Sequence, residues 1–143
     1  MRHPDVYLTE NEAATAIWIP PNAQELNDAE EAELERLIAD ELGADAARLG
    51  AMYHLFDEAH PHDEPHFYLS LLGTHADEIG HGYGLGLLAQ NLIAIDQQHQ
   101  PCYLEASNEV NVALYSRFGF VVRDRFQPQP DGPIVTTMWR EAR

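Results

Sequence analysis

Asn108 and Tyr115 carry side chains suited to hydrogen bonding and proton transfer, and they lie seven residues apart in the stretch Asn108-Glu109-Val110-Asn111-Val112-Ala113-Leu114-Tyr115. Asn108 falls where a strand gives way to a helix, so its amide either caps that helix or binds an amide-bearing ligand. Tyr115 comes two turns along the same helix and can reach back toward the cleft at its start. A phenol placed there can donate a proton to a departing thiolate. On spacing alone a plainer reading stands beside this one: Asn108 is only a cap and Tyr115 only a packed aromatic.

The run Ile79-Gly80-His81-Gly82-Tyr83-Gly84-Leu85-Gly86-Leu87-Leu88 joins a glycine-rich turn to an apolar helix. A junction of this kind leaves backbone N–H groups without intrahelical partners, and with the helix dipole they suit a phosphate or pyrophosphate. A dinucleotide fingerprint would set its glycines right behind the strand, whereas Thr74 through Glu78 intervene. The chain also has no Lys-Ser or Lys-Thr pair for a triphosphate loop. A purely structural turn is the remaining alternative. His60, His62 and His66, with Asp63 and Glu64 between them, have residue types able to hold zinc, but Pro61 and Pro65 in the same loop favour a polar connector.

These groups need a frame. Val6–Thr9 and Ala14–Ile19 are expected as short strands, the second stopped by Pro20-Pro21. Asn27 and Glu30 have capping-box spacing ahead of a stripe of Leu34, Leu37, Ile38 and Leu42, which ends at Gly43. Leu49, Met52, Tyr53 and Phe56 mark a second helix running to about His60-Pro61. A central strand is expected over His66–Leu72, and then a helix from near Gly84 that buries Leu88, Leu92 and Ile95. Cys102–Ala106 forms a strand, and Val110–Phe118 a helix with Val110 and Leu114 on one side. Strands beginning at Gly119 and over Ile134–Trp139 complete the chain. The order describes one mixed α/β domain spanning residues 1–143.

Charge narrows the partners. Twenty-four acidic residues face eight basic ones, all arginine, for a net charge of -16. Residues 1–65 hold sixteen Asp and Glu against three Arg. No basic footprint for nucleic acid is visible. Self-repulsion on this scale is relieved when salt screens it, which suits a salt-rich cytoplasm. The single Cys102 forms no internal disulfide, and no apolar stretch approaches a membrane span. The expectation is a cytoplasmic protein that binds neither nucleic acid nor membrane.

Taken together, the two motifs resemble the GCN5-related N-acetyltransferase (GNAT) superfamily. Ile79-Gly80-His81-Gly82-Tyr83-Gly84 is similar to its Gln/Arg-x-x-Gly-x-Gly/Ala pattern. Asn108 through Tyr115, with Gly119-Phe120, is similar to its Asn-x-x-Ala-x-x-x-Tyr signature. Trp18-Ile19-Pro20-Pro21 and His66-Phe67-Tyr68-Leu69 also resemble a branch acting on small molecules. The resemblance implies a strongly twisted mixed sheet with flanking helices, the acyl-CoA N-acyltransferase type. It implies that Leu72, Gly73 and Thr74 hold the pantetheine arm of acetyl-CoA and that the amides of Gly80, His81, Gly82, Tyr83 and Gly84 hold its pyrophosphate, with Leu85 beginning the helix beneath. Asn108 would bind the arm and Tyr115 would protonate the coenzyme A thiolate. Glu105 would take the proton from the acceptor amine, and acetyl would pass directly to that amine, on a small molecule or a peptide.

The sequence departs from the family pattern in three places. Ile79 stands where the family has Arg or Gln, and Asn111 stands where it has a small residue. The chain matches from what resembles the family's second strand onward, so the helix pair at 27–59 or a homodimer partner would have to cover the sheet edge. The alternative from another class is a non-catalytic coenzyme A-binding or dimerisation module.

Overall fold

The structure, a computed structural model, describes residues 4–143. Its elements in chain order are β1 (Asp5–Leu8), β2 (Ala14–Ile19), α1 (Asp28–Leu42), α2 (Ala46–Ala59), β3 (Phe67–Thr74), α3 (Tyr83–Asp96), β4 (Cys102–Ala106), α4 (Glu109–Ser116), β5 (Val121–Phe126) and β6 (Val135–Arg140). The strands form one six-stranded sheet in the order β1-β2-β3-β4-β6-β5. Only β3 and β4 run parallel. This is the mixed α/β acyltransferase-type architecture that the sequence led us to expect. Among the described residues no helix is long and apolar enough to cross a membrane.

One face of the sheet carries the core. Ala14, Ala16 and Trp18 of β2, Phe67 and Leu69 of β3, and Cys102, Leu104 and Ala106 of β4 alternate inward against Leu87, Leu88, Leu92 and Ile95 of α3. Two polar links fix α3 on this face. Trp18 donates its indole N–H to Asn91 Oδ1 at 3.1 Å in a buried hydrogen bond. At the other end of α3, Arg140 of β6 grips Asp96 through two hydrogen bonds of 2.6 and 2.7 Å. Its Nε donates to the Phe118 carbonyl at 2.8 Å.

Element boundaries moved where tertiary pairing overrode local signals. β3 was expected to end near Leu72. It continues through Gly73 to Thr74 because Thr15 and Ala14 of β2 pair with those two residues. The capping box of α1 formed as read: Asn27 Oδ1 accepts from the Ala29 and Glu30 amides, and Glu30 accepts from the Asn27 amide at 2.8 Å. The stripe behind it did not become a core face, because Leu34, Leu37 and Leu42 are exposed and α1 has no buried residue. Similarly, Val112 is the residue of α4 that is buried, while Val110 is exposed. α2 does reach the sheet, through Phe56 set edge-on to Phe126 of β5 with ring centroids 5.1 Å apart.

Candidate functional site

Parallel β3 and β4 put Thr74 and Ala106 at the same end of the sheet, with the starts of α3 and α4 following them. The two strands pair only at Phe67–Cys102 and Tyr68–Tyr103. Beyond that point β3 stays with β2 and β4 stays with β6, so their facing edges part. The register of β2 against β3 also shifts. Ile17 pairs with Leu71 but Trp18 with Leu69, which leaves Ser70 as an extra residue on β3. Such a bulge bends its strand and increases the local twist. The result is a gap, open at the carboxyl ends of two parallel strands, where α/β folds place ligands. The backbone of Leu72, Gly73 and Thr74 borders it on the side away from β2.

The glycine turn stands at the mouth of this gap. Gly82 is the N-cap of α3 and adopts a left-handed conformation, φ 81° and ψ 5°, which favours glycine. It supplies no capping side chain, so the first amides of the helix stay free. Among the described residues the amides of Gly80, Gly82, Tyr83, Gly84 and Leu85 find no protein acceptor. The His81 amide differs from expectation: it donates to the Glu78 carbonyl at 3.3 Å, in a turn that follows the short 3₁₀ segment Ala76–Glu78. The helix itself starts at Tyr83, two residues before Leu85. Donors of this number at a helix N-terminus, beside an unpaired strand edge, fit the diphosphate and amide arm of a coenzyme A ester.

Asn108 is the N-cap of α4, its Oδ1 accepting from the Asn111 amide at 2.8 Å. The capping reading therefore holds for its oxygen, and its exposed amide nitrogen is what it can offer to a ligand. Tyr115 is half-buried, packed on the core with its ring 6.2 Å from Phe120. Burial raises its pKa above the ordinary phenol value, so it stays protonated near neutrality and can act as a donor. Cys102 faces the core, where burial pushes its thiol up to about 12, so it supplies no thiolate for a covalent step.

On the face opposite α3 the gap is floored by polar and aromatic groups. Glu105 follows the last β3–β4 pair by two residues, and its side chain is only 9% exposed. Its carboxylate lies 4.0 Å from His60 Nδ1 at the end of α2. Tyr68 and Tyr103 flank it, their rings 5.7 Å apart and each 4.9 Å from the His60 ring. Burial, and then the Glu105 charge, raise the pKa of both phenols. The Tyr103 hydroxyl donates to the Ala59 carbonyl at 3.3 Å. Ser70 donates to Glu25 at the bulge.

Sequence reasoning nominated Glu105 but missed His60, Tyr68 and Tyr103 as its surroundings. The available signal was alternation: Tyr103 and Glu105 must share one face of β4, opposite Cys102 and Leu104. The approach of α2 that brings in His60 had no local signal. The histidines of the 60–66 loop do not converge on one point. Instead His60 and His66 face each other, Nε2 to Nε2, at 3.2 Å.

No family model matches the sequence. Solved structures do match its fold. A Corynebacterium glutamicum protein described as histone acetyltransferase HPA2 and related acetyltransferase is 25% identical, with a TM-score of 0.66 over 98% of this chain. The chain spans only 64% of that protein's length. A Drosophila melanogaster polyamine N-acetyltransferase, an enzyme that forms N-acetylagmatine, superposes at TM-score 0.58 and 18% identity over 95% of this chain and 73% of its own. The Escherichia coli ribosomal-protein-S18-alanine N-acetyltransferase gives 0.52 and 19% over 94% of this chain and 64% of its own.

Proposed function

We propose, from its likeness in fold to solved acetyltransferases, that this chain is a member of the GCN5-related N-acetyltransferase superfamily and transfers acetyl from acetyl-CoA directly to an amine of a small molecule or peptide. The observation that carries this reading is the set of free amides at Gly80, Gly82, Tyr83, Gly84 and Leu85 beside the β3–β4 gap. Those amides, with the Leu72–Thr74 backbone and the Asn108 amide nitrogen, would hold the diphosphate and pantetheine arm. Acetyl-CoA supplies an activated acyl group as a thioester. The remaining chemistry belongs to the chain: Glu105 accepts a proton from the acceptor amine, and Tyr115 donates one to the departing sulfur. The buried, protonated state of Cys102 favours direct transfer over an acyl-enzyme.

Calorimetric titration with coenzyme A, paired with thiol release over a panel of primary amines, tests this. Saturable binding with amine-dependent thiol release supports the transferase. Binding without release from any amine selects a coenzyme A-binding module instead. Dimerisation is favoured by one observation, the exposed Val6 and Leu8 on edge strand β1, and sizing with and without coenzyme A tests it.

A further inference from the structure

We propose that His60 is the proton store behind Glu105, held in the required tautomer by His66, so that the amine's proton passes from Glu105 to His60. The inference rests on the transferase reading above, and it follows from accounting for ring hydrogens. His66 Nδ1 meets the Glu64 carbonyl, which can only accept, so that nitrogen carries the hydrogen. His66 is buried, and burial lowers its pKa, so it is neutral and its Nε2 is a lone pair. Its partner at 3.2 Å is His60 Nε2, which must therefore be the donor. His60 then turns an unprotonated Nδ1 toward Glu105 Oε1, 4.0 Å away. Two proton acceptors face each other across that space, too far apart for a direct hydrogen bond and at a span that one water can bridge, so a proton arriving at Glu105 has a second acceptor within one relay step.

The groups around His60 suit this role. Glu105 and Tyr103 face it from β4, Tyr68 from β3, and His66 and His62 from the loop after α2. Arg123 of β5 is paired with Glu64 at 3.3 Å and lies over the Trp139 ring. The His60 side chain is 26% exposed, which gives the proton an exit to water. The ammonium gives one proton to Glu105, which passes it through one water to His60 Nδ1. The freed nitrogen lone pair forms the C–N bond while the C–S bond breaks with its electrons on sulfur. Sulfur takes a proton from Tyr115, and the phenolate is restored by the second proton lost from nitrogen, carried by water.

His60 acts through Glu105 and is a positioning residue, so its test must separate proton handling from packing. Ring ¹⁵N spectra of the parent protein read the tautomers without turnover. His66 protonated at Nδ1 and His60 at Nε2 are expected, and the opposite tautomer at either residue overturns the proposal. His60→Gln keeps a donor toward His66 but cannot store a proton. It should lower kcat roughly a hundredfold, leave coenzyme A binding and the urea midpoint near parental, and remove one ionisation from the acid limb of the kcat profile. His60→Ala should regain turnover with added imidazole. An unaltered pH profile in His60→Gln, or no imidazole rescue in a folded His60→Ala, sinks the relay while the transferase stands. A parent that binds coenzyme A but acetylates no amine defeats the transferase reading and, with it, the relay.

Discussion

Thr74 Oγ1 lies 2.7 Å from the point where a β-carbon on residue 84 would sit, so the end of β3 and the first turn of α3 touch through a missing side chain. Gly84 is buried there while its amide stays free. Gly84→Ala must therefore displace Thr74 or α3 at the gap's mouth. It should weaken coenzyme A binding about tenfold and cost roughly 1–2 kcal/mol of stability, read by calorimetry and urea unfolding. Parental affinity would show that this contact does not shape the site.

Tyr115→Phe removes the proton donor and leaves the ring packed beside Phe120. A loss of about a hundredfold in kcat with little change in coenzyme A affinity is expected. Steady-state thiol release checks the first and a binding titration the second. Equal turnover in mutant and parent removes Tyr115 from the role.

Neutral His66 links stability to pH. Burial above all, with the Arg123 charge behind it, lowers its folded pKa below the ordinary 6.5, outweighing the raising effects of the Glu64 carbonyl and carboxylate. The unfolded chain thus binds the proton more readily. The stabilisation is fully present above about pH 6.5 and is lost as pH falls from there through the folded value. Urea midpoints measured between about pH 8 and about pH 5 should fall less steeply for His66→Gln than for the parent.

Asp96 answers to acid in a different range. Hydrogen bonds from Arg140, and then its charge, outweigh burial and hold the Asp96 carboxyl below the ordinary 3.8. Its contribution is present above that value and fades as pH drops through the folded one. Asp96→Asn leaves the Arg140 guanidinium, only 4% exposed, without its anion, at a cost of roughly 3 kcal/mol. A thermal melt shifted by less than a degree or two would contradict the assigned weight of this pair.

Salt should help this chain. With a net charge of -16, most of it on exposed surface such as α1, screening relieves repulsion more than it weakens pairs like Arg36–Glu33. The urea midpoint should rise between dilute buffer and molar KCl, and coenzyme A affinity should hold or improve. A falling midpoint would exclude adaptation to a salt-rich interior.

What the sequence determined by itself was local. Glycines 80, 82 and 84 ahead of an apolar helix marked the amide turn and the Asn27–Glu30 box started α1, because each depends on residues a few positions apart. Tertiary structure decided the rest. The parting of β3 from β4 depends on which neighbour each strand keeps. The exposure of Leu34 and Leu37 depends on whether anything packs against α1. The meeting of His60 with Glu105 joins residues 45 positions apart in the chain, through the approach of α2 to the sheet. Contacts of that kind arise from packing and strand pairing across the whole domain, and no periodicity within a short window encodes them.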